Sequence, residues 1–378
     1  MAYELAGNNR VLFVNRALDR NSILRRVTGK RSLETKVVSR EKKDTIEKIQ
    51  ENLWVLHVRA VLESINWVPS SFVYDLFNRI NNKRIAREIN AALGQLAFSD
   101  IIFINDNDFF RGLYQQDFLP CEKYIFYIRD FLTCQPFFKK KGPRAERQMI
   151  KKADLVVANS SYLAQYARQW NPNSFDIGQG CDLQSFASEN FSVPNDLVNL
   201  PKPIIGYCGA VTAMRLDISV VKHIASSFPE YSIVLVGSPD SFFEKDKWID
   251  YPNVHLLGGK APEQIANYVY CFDICMNPQS INQLTIGNYP RKVDEYLAAG
   301  KPVVATATEA MKMFSYHTFL CITKEDYVQQ INMILSDENM FSEREKERRK
   351  NFALQHTWKN SIGRLGDAYY QTAQDRDF

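Results

Sequence analysis

Short runs of β-branched and aromatic residues alternate along the chain with stretches whose apolar positions recur every three or four residues. The first set of runs is RVLFVN (10–15), LWVLHV (53–58), DIIFIN (100–105), YIFYIRD (124–130) and DLVVANS (154–160), interleaved with helical patterns over 74–97, over 144–152 and from 161 onward. A proline-rich, aperiodic stretch, SVPNDLVNLPKP (192–203), interrupts the alternation. It then restarts with PIIGYCG (203–209), YSIVLVG (231–237), NVHLLG (253–258), FDICMNP (272–278) and KPVVAT (301–306). Helical patterns at 217–227, 241–249, 262–270 and 290–300 separate these runs, and three more at 324–336, 343–356 and 359–374 close the chain. Strand and helix in alternation predict parallel sheets covered on both faces by helices.

The pattern therefore predicts an α/β protein of two doubly wound, Rossmann-like domains, one over 1–190 and one over 203–356. A C-terminal helix over 357–378 is a candidate to pack back on the first domain. In such folds ligands sit at the carboxyl ends of the strands, which here means the facing edges of two domains. The start, MAYELAGNNRVLFVN, enters a helical pattern before its first strand, whereas a doubly wound domain ordinarily opens with a strand. The expectation is that a first strand and its loop are missing, as in an N-terminally shortened chain.

With 378 residues, 45% hydrophobic and 24% charged, the chain is long enough for two proper cores. The seven cysteines form no CxxC and no metal-type Cys/His spacing, and the five histidines lie too far apart for an HxxxH site. A reducing compartment and no protein-bound metal are expected. No apolar run approaches the roughly 18 residues needed to span a bilayer, and the N-terminus lacks signal-peptide regions. A cytoplasmic protein, free to sit at a membrane surface, is the expectation. The net charge of +4 is too small to argue for nucleic acid. The local run KKKGPR (139–144) is placed to meet anionic headgroups or a lipid-linked pyrophosphate, or is simply a solvated loop.

Candidate chemistry gathers after FDICMNP. The loop QSINQLTIGN (279–288) carries Gln279, Asn282, Gln283, Thr285 and Asn288, and a helix opens at Pro290, a favoured first-turn residue. Val293, Tyr296, Leu297 and Gly300 share the face that should meet the sheet, which leaves Arg291, Lys292 and Glu295 together on the other. Two cations in the first turn oppose the helix dipole, and an anion bound there reverses the penalty. Free backbone N–H groups with Lys292 would hold a diphosphate, and Glu295 would accept from a ribose diol. The competing reading is an ordinary solvated Arg291–Glu295 pair. Upstream, the Gly209 loop of GAV (209–211) follows a strand and precedes a helix, so its backbone is open to a phosphate or sugar, or merely to tight packing.

The segment from Asn282 through Thr285, Pro290, Lys292 and Glu295 to Thr306, N-x-L-T-x4-P-x-K-x2-EYLAAGKPVVAT, resembles the donor-site helix of GT-B glycosyltransferases. The bacterial group with teichuronic acid, capsule and exopolysaccharide transferases is nearest in pattern, and the glucuronosyltransferase of xanthan assembly is a more distant relative. The resemblance runs through PIIGYCGAVTAMRLD (203–217), VLVGSPD (234–240) and NVHLLGGKAPEQIANYVYCFDICMNP (253–278), and more loosely through RVLFVNRALDR (10–20), YIRDF, ADLVVANSSYL (153–163) and GQGCDLQSF (178–186). It implies two domains facing a cleft and transfer of a sugar from a nucleotide donor, UDP-linked by expectation, to a glycan or lipid-linked glycan of the cell surface. No permanently bound cofactor is implied.

On that resemblance Gly209, Arg215, Lys260, Asn282, Thr285, Lys292 and Glu295 are the donor-site residues, with Lys260 in a loop that meets the nucleobase. Asp130, at the end of YIFYIRD, is the candidate general base of an inverting reaction; the other reading is a strand-end cap. Two departures stand out. Many retaining relatives carry two acids separated by seven residues, and the position eight before Glu295 is Gly287. Relatives also place an Arg and a Lys after the first glycine loop of the second domain, where GAVTAMRLD offers Arg215 alone. Inverting and retaining transfer both stay open. So do two other functions, a nucleotide-sugar epimerase and a non-catalytic sugar-nucleotide-binding scaffold.

Overall fold

The computed structural model describes residues 1–27, 45–188, 190–244, 248 and 250–374. The chain divides into two compact units, one of Met1–Ala158, Ala164–Ile177 and Ile362–Phe378, the other of Asn159–Leu163 and Gly178–Ser361.

Among the described residues the first unit holds two sheets. One is three-stranded: β1 (Val11–Val14) runs parallel to β3 (Leu53–Leu56), and β2 (Ile46–Gln50) lies antiparallel on the other side of β3. The other is wholly parallel, with β4 (Ile101–Asp106), β5 (Cys121–Ile128), β6 (Leu155–Ala158) and β7 (Ser174–Asp176) side by side in chain order. The long helix Ser71–Gln95 contributes Ile85, Ala86, Ile89, Ala92 and Leu93 to a core shared with Leu56, Ile101 and Phe103. The edge strand β2 does not stand out in the sequence, because Glu47, Lys48 and Gln50 break up its two isoleucines and its second half is exposed.

The second unit contains a six-stranded, all-parallel sheet of β8 (Ile204–Cys208), β9 (Ser232–Val236), β10 (Val254–Gly258), β11 (Ile274–Asn277), β12 (Val303–Thr306) and β13 (Phe319–Cys321), in the order β10-β9-β8-β11-β12-β13. Alternate residues feed opposite cores. Ile204, Cys208, Val234 and Cys275 pack with Val293 and Leu297 on one face, while Ile205, Tyr207, Ile233 and Leu235 pack with Val221 and Ile224 on the other. Burial on both faces explains why β8, β9, β11 and β12 read as continuous apolar runs. Asp217 caps the helix Ile218–Ser227 by accepting from the Ser219 N–H at 2.8 Å. The helical pattern at 241–249 is a 3-10 turn over Ser241–Phe243, and its remainder lies largely outside the described residues.

The strand order reverses direction between β8 and β11. In an open parallel sheet that reversal opens a crevice beyond the carboxyl ends of the two strands, since their following loops part to opposite faces. The loop after β8 begins at Gly209, and the loop after β11 leads to the helix Arg291–Ala298.

Candidate functional site

The two loops at the strand reversal are stitched together. Asn282 donates from Nδ2 to the Met214 carbonyl at 2.9 Å, Ser280 Oγ to the Ala213 carbonyl at 3.0 Å, and the Asp217 N–H to the Pro278 carbonyl at 2.9 Å. Within the second loop, Asn282 Oδ1 accepts from the Leu284 N–H at 2.9 Å, Thr285 Oγ1 accepts from the Asn282 N–H at 3.0 Å, and Gln279 donates to the Thr285 carbonyl at 2.9 Å. Asn282 and Thr285 thus shape the loop through their own backbone, as short polar side chains do.

Lys292, in the first turn of the helix, reaches back across the crevice. Its Nζ donates to the Tyr207 hydroxyl at 3.1 Å and lies 4.7 Å from the centre of that ring. It also rests over Gly209: a Cβ built there would stand 2.9 Å from Lys292 Cε and 3.2 Å from Nζ. Gly209 has φ +151°, a backbone that side chains disfavour, and its carbonyl fills the place a Cβ on Gly237 would need. The structure therefore brings Lys292, Tyr207 and Gly209 to one point at the end of β8, and no carboxylate of the described residues pairs with Lys292. Sequence reasoning missed Tyr207; the one signal for it was a hydroxyl in an otherwise apolar strand.

Glu295 lies one turn further along the helix, its side chain 13% exposed and paired with Arg291 at 3.0 Å, which is itself 63% exposed. Burial raises the Glu295 carboxyl above the ordinary range, and the charges of Arg291 and Lys292 pull the other way. The i,i+4 pair of the competing reading is made, and Lys292 stands apart from it. Pro290 brings no side-chain cap, the Arg291 N–H turns to the Tyr289 carbonyl at 3.0 Å, and the Val293 N–H turns to the Pro290 carbonyl at 2.8 Å. Two first-turn donors are therefore spent locally, and the cation at this end is chiefly the Lys292 side chain. Behind the helix, buried Asp294 joins His356 Nδ1 (2.7 Å), the Tyr289 hydroxyl (2.6 Å) and Cys181 Sγ (3.6 Å).

Gly287 has a physical reason to lack a side chain. A Cβ there would lie 2.0 Å from Tyr162 Cδ1, and Ser160 Oγ donates to the Gly287 carbonyl at 2.9 Å. The ring fills the position in which many retaining relatives carry an acid.

The remaining candidates are placed as follows. Arg215 is half-buried in the loop after β8; its N–H bonds the Thr212 carbonyl and its carbonyl accepts from Ser280. Lys260 pairs with Asp196 at 2.7 Å and lies 5.3 Å from the Tyr268 ring centre. Burial raises the Asp196 carboxyl, but hydrogen bonds from Lys260 and Tyr268 outweigh it and hold the group below the usual range. Asp130 belongs to the first unit, half-buried two residues past the end of β5, where its carbonyl accepts from the Leu132 N–H at 2.8 Å and from Asn107 Nδ2 at 3.2 Å.

Comparison with known proteins bears on the family and the fold. Residues 202–337 match the family model described as glycosyl transferases group 1. Over 234 residues the chain is 24% identical to a protein of Bacillus subtilis (strain 168) described as the teichuronic acid biosynthesis glycosyltransferase TuaH; the match covers 59% of this chain and 58% of that relative. Among solved structures, sucrose-phosphate synthase (tll1590) of Thermosynechococcus elongatus superimposes with a TM-score of 0.68 at 16% identity, over 99% of this chain and 92% of that one. HepE (Alr3699) of Anabaena, solved with UDP, gives a TM-score of 0.59 at 15% identity, over 76% of this chain and 82% of that one.

Proposed function

We propose that this chain, whose residues 202–337 form a group 1 glycosyl transferase domain on a GT-B scaffold, moves a sugar from a nucleotide donor to a glycan or lipid-linked glycan in cell-surface polysaccharide assembly. The observation that carries the reading is Lys292, an ammonium held over the bare backbone of Gly209 where the strand order reverses. The second unit holds the nucleotide and the first the acceptor. UDP is the favoured carrier: HepE, with which the chain shares its fold, has been solved with UDP and with UDP-glucose.

In the reaction the acceptor hydroxyl attacks the anomeric carbon, the bond from that carbon to the diphosphate oxygen breaks, and the nucleoside diphosphate leaves with the bonding pair. Negative charge grows on the departing diphosphate, and Lys292 meets it; a preorganised cation stabilises that charge without reorganisation cost. Glu295 accepts from the ribose hydroxyls, while Arg291, its partner in the free protein, is positioned to turn toward the phosphates. Asp130 takes the hydroxyl proton if the anomer inverts; the Tyr162 ring against Gly287 leaves no room for the acid of the retaining pattern. The anomeric configuration of the product, read by NMR, decides between the two. The epimerase and scaffold readings gain no observation of their own. Incubating the full chain with UDP-sugars and a lipid-linked acceptor tests the proposal: UDP released in step with product supports it, and an altered UDP-sugar with no free UDP sinks it.

A further inference from the structure

The first half of the helix Ser71–Gln95 is inside out. Its buried side carries Tyr74 with three asparagines, Asn78, Asn81 and Asn82, whereas its outer side exposes Phe72, Val73, Leu76, Phe77 and Ile80. The asparagines are not misplaced. Asn81 exchanges hydrogen bonds with the Glu63 backbone at 2.8 and 3.0 Å, and Asn82 bonds the Phe110 carbonyl at 3.1 Å and the Tyr114 N–H at 3.1 Å. The polar face is thus fixed inward by its partners, and the apolar face has no cover among the described residues. Phe72 is 79% exposed, and Trp67, just before the helix, 72%.

Neighbouring segments enlarge the same surface. Asn66 Nδ2 holds the Phe137 carbonyl at 3.0 Å, which brings exposed Phe137 beside Trp67, and Lys141 Nζ holds the Pro69 carbonyl at 3.1 Å, which anchors Lys139 and Lys140 at the start of the helix. At the other end, Lys83 and Arg87 continue the line of Phe72, Leu76 and Ile80 at helical spacing. All four cations are exposed and make no ion pair with the described residues. No described helix is long and apolar enough to cross a membrane.

We propose that this face, Trp67, Phe72, Leu76, Phe77 and Phe137 between the cationic pairs Lys139/Lys140 and Lys83/Arg87, docks the protein on an anionic lipid bilayer. An in-plane helix with aromatic and aliphatic side chains on one face, flanked by cations, fits the boundary between acyl chains and acidic headgroups. Trp is suited to that depth, and the stems of Lys and Arg carry their charges out to the phosphates. A second copy fits worse, because two-fold pairing of the helix lays one cationic end against the other and protein interfaces are poor in Lys. Docking extends the proposed function, whose acceptors include lipid-linked glycans, yet needs no nucleotide.

Flotation of the full chain with vesicles of phosphatidylcholine, with and without phosphatidylglycerol, tests it. The protein is expected to float with the anionic vesicles and to be released by salt. Trp67 emission should shift to the blue and be quenched by brominated acyl chains, a signal that Trp67→Phe removes. Phe72→Ser with Phe77→Ser, and separately Lys139→Glu with Lys140→Glu, should each cut the bound fraction about tenfold or more. Both double variants should keep the wild-type thermal shift with UDP, so loss of docking is distinguishable from loss of the fold or of the donor site. Equal flotation of variants and wild type, no flotation with either vesicle, or a concentration-dependent oligomer that Phe72→Ser with Phe77→Ser dissolves would each overturn the proposal.

Discussion

Replacing Gly287 tests the packing of Tyr162 next to the candidate site. In Gly287→Ala the new methyl lies 2.0 Å from Cδ1, 2.6 Å from Cε1 and 2.8 Å from Cγ of Tyr162, far inside contact distance. The φ of Gly287 is not in the left-handed region, so the cost comes from overpacking rather than backbone strain. Forcing one methyl into such a contact costs about 1–3 kcal/mol, less if Tyr162, which is half-buried, swings outward. For a unit of this size each kcal/mol lowers Tm by about 2–4 °C, so a fall of roughly 2–12 °C is expected by differential scanning calorimetry. Tyr162→Ala removes the obstacle, and in that background Gly287→Ala should cost less than about 0.5 kcal/mol, a coupling that a double-mutant cycle reads directly. Gly287→Glu, which restores the acidic pair of retaining relatives on paper, should destabilise further and add no turnover. Wild-type melting of Gly287→Ala, an unchanged cost in Tyr162→Ala, or a gain of activity in Gly287→Glu would refute this account of the missing acid.

Glu295→Ala should abolish the preference for UDP over 2′-deoxy-UDP, about tenfold in the wild type, measured by isothermal titration. Asp130→Asn should slow transfer about 100-fold or more while leaving UDP binding intact if the reaction inverts, and full activity in that variant would remove Asp130 from the mechanism. In the first unit, burial pushes the Glu146 carboxyl up to about 7, although the Tyr166 hydroxyl donates to it at 2.8 Å. Its folded form keeps a proton that the unfolded chain releases at the ordinary glutamate value. Stability is therefore greatest below about 4.5 and falls as pH rises toward 7, by as much as about 3 kcal/mol, and Glu146→Gln should flatten that slope in urea titrations.

Strands β8, β9, β11 and β12 of the second unit were legible because both faces are buried, so each reads as an uninterrupted apolar run. β2 and the three-residue strands β7 and β13 were not, since short or edge strands carry too little periodic signal. At the site, Lys292 was visible as a cation against a helix dipole and Gly209 as a strand-end glycine. That the two lie together was not, because the contact joins residues 83 positions apart in number. Tyr207 and Tyr162 escaped for the same reason: nothing local marks an aromatic ring as the floor under a lysine or the plug against a glycine. The polarity of the loop 279–288 was plain, but its side chains are used mainly on the loop itself. The inside-out half of the Ser71–Gln95 helix reads from sequence as ordinary amphipathic helix, since spacing gives two faces without saying which one meets the core.

The most direct test of the central claim is the affinity of the full chain for UDP, by isothermal titration, in the wild type and in Lys292→Met. A charge-assisted contact from Lys292 to the diphosphate predicts saturable binding that the variant weakens about 10- to 100-fold while the apo melting temperature stays within a few degrees. UDP binding of equal strength in both proteins, or no binding to the wild type, would contradict the account.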